Sequence, residues 1–445
     1  MTPLEQLCTF LRFPSISADP AYAGDVRDCA AWLADKLNGM GLTAKVHQTQ
    51  GNPVIVAKND HEEGKLNVLI YGHYDVQPVD PIELWDSEPF EPVVRDGRIW
   101  GRGTSDDKGQ LFTHVLGVEE LLKSDGKLPV NLTFLFEGEE EVGSASLFTF
   151  LKEHKDELAC DIIIVSDTGM VAEGMPTLAY GLRGVAACEV IVKGPKIDLH
   201  SGLFGGAVAN PITALSELVS SFHDEEGQVA VEGFYADVRP LEDWERRMWS
   251  TIPGVTDDDY KAITGVPATY GEEGYTSQER IWARPTAELN GIYGGYQGPG
   301  SKTVIPTHAV AKFSFRLVPD QDPADIMKKV REHCEKHAPK GTTLEFIEEH
   351  VGSSYITDPN SRYGQAAQDA IEEVFGRKPV LSREGGSIGV VNEFKSTLGT
   401  DTLLIGLSLP DGKIHSPNEN FPVANFEAGI QLSQALLRRL GEIRK

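Results

Sequence analysis

Three apolar runs of strand length, KLNVLIYG (65–72), LPVNLTFLF (128–136) and CDIIIVSD (160–167), constrain this fold more than any other feature. A strand with one wet face alternates polar and apolar residues, whereas a near-continuous apolar strand must be covered on both faces. The stretch QLFTHVLGVEELLKSDG (110–126) reads as a helix between the first two runs, and DVRDCAAWLADKLNGMG (25–41) as another. Thr2, Pro3 and Glu5 supply a capping box and a first-turn proline for a helix at the start of the chain. Strands alternating with helices predict an open, mostly parallel sheet. Such sheets place ligands beyond the carboxyl ends of their strands. The polar clusters HYD (73–75), EGEEE (137–141) and SD (166–167) fall at those ends.

After YGLRG (180–184) the pattern changes. GVAACEVIVKG and AVAKFSFRLVP read as strands of a second sheet; in the latter Phe313, Phe315 and Leu317 alternate with Lys312, Ser314 and Arg316. The acidic stretch from about 225 to 300 carries no clear periodicity. A helix in RYGQAAQDAIEEVFG and an apolar run in TLLIGLSLP then return to the first texture. The expected class is therefore α/β: a mostly parallel, helix-covered sheet built from 1–183 and 356–445, interrupted by a smaller α+β domain at 184–355.

With 41 basic against 67 acidic side chains, the net charge of −26 argues against nucleic acid as a partner. The five cysteines are odd in number and form no CxxC pair, which argues against a disulfide framework or a thiolate zinc site. MTPLEQLCTFLRF lacks the pattern of a secretion signal, and no apolar run reaches the roughly 18 residues of a membrane span. The expected location is cytoplasmic, with no membrane partner.

The glutamates Glu137, Glu139, Glu140 and Glu141 crowd the exit of a buried strand and demand a positive partner. Candidate metal ligands are His73, Asp106, Glu140 or Glu141, Asp167 and His415. Imidazole with carboxylate suits zinc, manganese or cobalt. Two histidines and three carboxylates over-supply one ion but suit two ions sharing a carboxylate, and such a pair can hold a hydroxide between them for hydrolysis. One of the adjacent Glu140 and Glu141 can ligate while its neighbour takes the proton from water. In HYD, His73 and Asp75 share a face, so Asp75 can accept the second ring N–H and fix its tautomer. Each signal alone is weak, because a lone HxD is usually a loop pair and a charge run usually a solvated turn. GRGTSDDKG lacks phosphate-loop spacing, REHCEKH reads as an exposed helix face, and GLSLP lacks the second glycine of a serine-hydrolase elbow.

YGHYDVQPV, WDSEPFEP, GRGTSDDKG, EGEEEVGS, VSD, YGLRG, DLHSGLFGG, GSKTVIP, REGGSI and KIHSPNE, in that order, resemble the dinuclear metallopeptidases that include carnosinase and the cytosolic nonspecific dipeptidase. More distant relatives are carboxypeptidase G, aminoacylase and succinyl-diaminopimelate desuccinylase. The resemblance covers nearly the whole chain. It implies that His73, Asp106 and Asp167 hold one divalent ion and Asp106, Glu141 and His415 the other, with zinc first and manganese or cobalt as alternatives. It makes Glu140 the general base and Asp75 the orienting acid. It makes the inserted domain a lid and dimerisation domain, with His200 polarising the scissile carbonyl of the partner subunit's site. Thr303, Arg316, Gly386 and Ser387 would hold the substrate's C-terminal carboxylate. Asn290 departs from the histidine of several dipeptidase relatives. The expected activity is metal-dependent hydrolysis of dipeptides or very short peptides. N-acyl amino acid deacylation is the alternative, and a non-catalytic peptide-binding protein is the reading from another class.

Overall fold

A computed structural model describes residues 1–444, and these divide into two compact units. Among the described residues the first comprises 1–180, 357–382 and 388–444, and the second Gly181–Ile356 with Arg383–Ser387.

The first unit is α/β, as the apolar runs require. At the centre of its sheet lie four parallel strands in the order Asn131–Glu137, Asn67–His73, Ile162–Val165 and Thr402–Gly406. Every residue of Asn131–Glu137 and of Thr402–Gly406 is buried, which is why these segments show no polar alternation. Antiparallel strands flank this centre, Val54–Lys58 on one side and Thr177–Leu182 on the other. The helix Lys108–Asp125 crosses over between Asn67–His73 and Asn131–Glu137. Its Gly117 faces the helix Val423–Gly441, where an added Cβ would lie 2.6 Å from that of Ser433, so glycine sets how closely the two helices pack. The capping box of Thr2 and Glu5 starts the helix Pro3–Leu11. No described helix is long and apolar enough to cross a membrane.

In the second unit a four-stranded antiparallel sheet runs in the order Thr286–Gly294, His308–Leu317, Gly184–Lys193 and Thr343–Gly352. Phe313, Phe315 and Leu317 point into a core with Leu215, Phe222, Ile326 and Val330, contributed by the helices Pro211–Ser220 and Pro323–Lys336 and the turn after the first. The stretch without periodicity folds into three short helices, Asp243–Trp249, Asp257–Thr264 and Ser277–Ala283, each begun by a capping box, and then into the strand Thr286–Gly294. Asn290 sits at a register shift in that strand. One expectation fails: His333 of REHCEKH is buried, not exposed, and its Nε2 lies 2.9 Å from Ser221 Oγ against the Phe222 ring. The helix turns this edge into the core, which excludes the imidazolium and pulls His333 down to about 4.

Candidate metal centre

Strand ends deliver the cluster. His73 closes Asn67–His73, Glu140 and Glu141 follow Asn131–Glu137, Asp167 follows Ile162–Val165, and His415 lies in the loop after Thr402–Gly406. Asp106 lies two residues before the crossover helix, whose N-cap is Asp107. Potential ligand atoms of His73, Asp106 and Asp167 lie within 4.8 Å of one another, as do those of Asp106, Glu141 and His415. Asp106 belongs to both groups. Its Oδ1 lies 3.0 Å from His73 Nε2 and its Oδ2 2.8 Å from His415 Nε2, so one carboxylate turns a different oxygen to each imidazole. Glu141 Oε2 completes the second group at 3.2 Å from His415 Nε2 and accepts a 2.8 Å hydrogen bond from Gln77.

This donor set fits two divalent cations sharing Asp106. Two histidines and three carboxylates, with His73 and Asp106 buried, Asp167 and Glu141 half-buried and His415 exposed, leave an excess of negative charge that the chain itself does not neutralise. The titration of the group reports that excess. Burial pulls His73 down, but hydrogen bonds donated to the Asp106 and Asp75 carboxylates outweigh it and raise it well above an ordinary histidine. His415 is pushed up to about 10 by Asp106 and then Glu141. Burial, reinforced by the Asp106 charge, pushes Asp167 well up. Glu140 rises to about 7 through burial, with His73 opposing and Glu141 adding to the shift.

Asp75 is fully buried, and its position refines the sequence reading. His73 Nδ1 lies 3.1 Å from the Asp75 carbonyl and 3.4 Å from its Oδ1, two acceptors that fix the proton on Nδ1 and leave Nε2 free to ligate. The Asp75 carboxylate also accepts the N–H groups of Glu140 at 3.2 Å and Glu141 at 3.1 Å. It therefore orients the glutamate pair as well as the histidine. Glu140–Val142 is a tight 3-10 turn rather than extended chain, so the adjacent side chains diverge by roughly 120°.

The other two glutamates need no metal. Glu137 is buried, accepts from the Tyr71 and Ser144 hydroxyls at 2.7 and 2.8 Å, and is pushed up to about 8 by burial and the Asp75 charge. Glu139 accepts the N–H groups of Asn52 at 2.9 Å and Ser146 at 3.1 Å. The crowding in EGEEE is thus divided among four local solutions, only two of which face the cluster.

Residues 69–439 match Peptidase family M20/M25/M40. The chain belongs to this family. It is 32% identical over 98% of its length to the Cys-Gly metallodipeptidase DUG1 of Saccharomyces cerevisiae, 95% of which is covered. It is also 31% identical over 88% of its length to the human Beta-Ala-His dipeptidase, covering 78% of that protein. Among solved structures, the M20 family metallo-carboxypeptidase Sso-CP2 from Sulfolobus solfataricus superposes with a TM-score of 0.84 at 31% identity, each chain covered over 100%. Membership makes this protein a metallopeptidase and the α/β fold with its second unit an M20 fold.

The remaining residues singled out in the sequence lie in the second unit. His200, exposed at the end of a two-residue strand, accepts the Gly202 N–H on Nδ1 at 3.0 Å. Ser201 N donates to the Thr303 carbonyl at 3.0 Å, which brings Thr303 beside His200. Arg316 NH1 lies 3.4 Å from Ser387 Oγ, and Gly386 is exposed next to it. Sequence reasoning missed Glu419, four residues beyond His415. Its fully buried carboxylate accepts from Arg102 NH1 at 2.8 Å and from the N–H groups of Gly103, Ser105 and Asp106 at 2.9, 2.8 and 3.0 Å. It clamps the loop of one candidate ligand to that of another.

Proposed function

We propose that this protein is a cytoplasmic dinuclear dipeptidase that hydrolyses dipeptides or very short peptides with a free C-terminal carboxylate. The observation that carries the reading is Asp106, whose two oxygens face different histidines while Asp167 and Glu141 flank them. His73, Asp106 and Asp167 hold one ion and Asp106, Glu141 and His415 the other; zinc is the expected metal, with manganese or cobalt as substitutes. When bound, the two cations supply Lewis acidity toward the scissile carbonyl and make water acidic enough to lose a proton near neutral pH.

Glu140 takes that proton and returns it to the departing amine. Asp75 holds Glu140 in place through its backbone N–H. His200 uses Nδ1 as an acceptor, so its neutral ring carries the proton on Nε2, the form that donates to a carbonyl oxygen. Arg316, with Thr303, Gly386 and Ser387, binds the C-terminal carboxylate; a guanidinium offers a two-pronged match to that group. The inserted domain, 184–355, acts as lid and dimerisation domain between the two parts of the catalytic domain, 1–183 and 356–445. The names of the similar proteins, a Cys-Gly metallodipeptidase and a Beta-Ala-His dipeptidase, support dipeptides as the substrate class.

Elemental analysis with a hydrolysis assay tests this directly. The expected result is two metal equivalents per chain, dipeptide hydrolysis lost on chelation and restored by zinc or manganese, and slower turnover of the matching N-acetyl amino acid. Hydrolysis that survives complete metal removal overturns it.

A further inference from the structure

A cavity of about 570 Å3 opens within the second unit, and its charged lining runs opposite to the rest of the chain. Four arginines, Arg183, Arg280, Arg284 and Arg316, face two glutamates, Glu272 and Glu288, a formal excess of two positive charges in a protein of net charge −26. Arg284 is spent internally, since its Nε and NH2 each lie 2.7 Å from a Glu272 oxygen. Arg280 donates to the backbone carbonyls of Glu272 and Tyr270. Arg183 donates from Nε to the Gly385 carbonyl at 2.9 Å and from NH1 to the Arg284 carbonyl at 3.4 Å.

Carbonyl dipoles aim a guanidinium but do not neutralise it. Arg183, Arg280 and Arg316 each lack a carboxylate within ion-pair distance among the described residues, and Ser387 joins the Arg183 backbone to the Arg316 guanidinium. Ser387 Oγ donates to the Arg183 carbonyl at 2.5 Å, which leaves its lone pairs for Arg316 NH1 at 3.4 Å. Burial, and then the Arg316 charge, pull Arg183 down to about 10. Glu288 is exposed to water, where screening limits what it offsets.

We propose that this cavity is a specificity pocket for a dianionic C-terminal residue, a peptide ending in aspartate or glutamate. The α-carboxylate sits on Arg316 and the side-chain carboxylate on Arg183. The inference rests on the reading above, in which Arg316 takes the α-carboxylate, and adds the chemical class of the residue that carries it.

The decisive comparison is Ala-Glu against Ala-Gln with the metal-loaded enzyme, since these dipeptides differ by one charge at nearly constant shape. A charge-assisted hydrogen bond predicts a kcat/KM ratio of about 10 to 100 in favour of Ala-Glu. Arg183→Gln brings the ratio close to one, while Arg183→Lys, which keeps a cation there, retains a clear preference. A wild-type ratio of one or below overturns the proposal, as does an Arg183→Gln variant that keeps the full preference. If neither peptide is hydrolysed, the dipeptidase reading has failed independently. Calorimetric titration of the same two peptides then decides whether the pocket prefers two negative charges. Free glutarate, which lacks the peptide, is the third titrant; glutarate binding as tightly as Ala-Glu would assign the cavity to free dicarboxylates and overturn the C-terminal-residue assignment.

Discussion

Replacing Glu419 by glutamine keeps the size of the side chain and removes only its ability to accept on both ends. In the native protein Oε2 receives Arg102 NH1 and the Gly103 N–H, and Oε1 receives the N–H groups of Ser105 and Asp106. All four partners are donors, which only an ionised carboxylate satisfies. Whichever way the glutamine amide turns, its NH2 faces two donors and leaves both unsatisfied in a fully buried place. At about 1–3 kcal/mol for each orphaned buried group, the cost is about 2–6 kcal/mol, in the range for breaking a buried ion pair. Because two of the clamped N–H groups belong to Ser105 and Asp106, part of that cost falls on the candidate shared ligand. Outer partners of metal ligands typically govern about 10- to 100-fold in metal affinity. Denaturant unfolding of the metal-free protein and calorimetric metal titration read the two effects separately. A Glu419→Gln variant within about 1 kcal/mol of wild type, with unchanged metal affinity, would refute the clamp.

Glu140→Gln is expected to keep both metal equivalents while kcat falls about 10²- to 10⁴-fold, the usual worth of a positioned base; metal analysis with steady-state kinetics checks it, and wild-type turnover would reassign the base. His114, buried between Ser166 and Ser433, is pulled from 6.5 to about 4 by burial. The unfolded chain therefore binds more protons in that window, so unfolding free energy drops as pH falls from 6.5 toward 4, by up to about 3 kcal/mol from this residue. In His114→Gln the acid slope of a pH series of denaturant curves should be shallower by about that amount; an unchanged slope excludes the assignment. Gly109→Ala places a Cβ 1.8 Å from the Thr104 carbonyl oxygen, a backbone clash three residues beyond Asp106. It should cost at least about 1–3 kcal/mol and lower metal content together, and a normal melting temperature with full metal would show that the loop yields.

The sheet was legible because a strand buried on both faces leaves an unbroken apolar run, and the candidate ligands were legible as a set because they follow such runs. His73, the glutamate pair and Asp167 all sit where the strands end. The three helices at 243–283 went unread, although Thr256 with Asp259 and Thr276 with Glu279 form capping boxes. These helices are too short to show a face, so the capping signal stood without periodicity to support it. His333 misled because spacing along a helix tells which residues share an edge, not whether that edge meets water. Glu419 was visible in KIHSPNE, but its partner loop lies 313 residues earlier at Asp106.

The order of apolar runs and the residue types at their ends determined the class of fold, the donor chemistry and the candidate ligands, since burial periodicity and ligand preference are local properties of side chains. Tertiary structure alone decided which oxygen of Asp106 meets which histidine, which glutamates of EGEEE face the cluster, and which arginines lack a counter-charge. Those outcomes depend on distances between segments far apart in the chain, and hydrogen bonds and charges act through space.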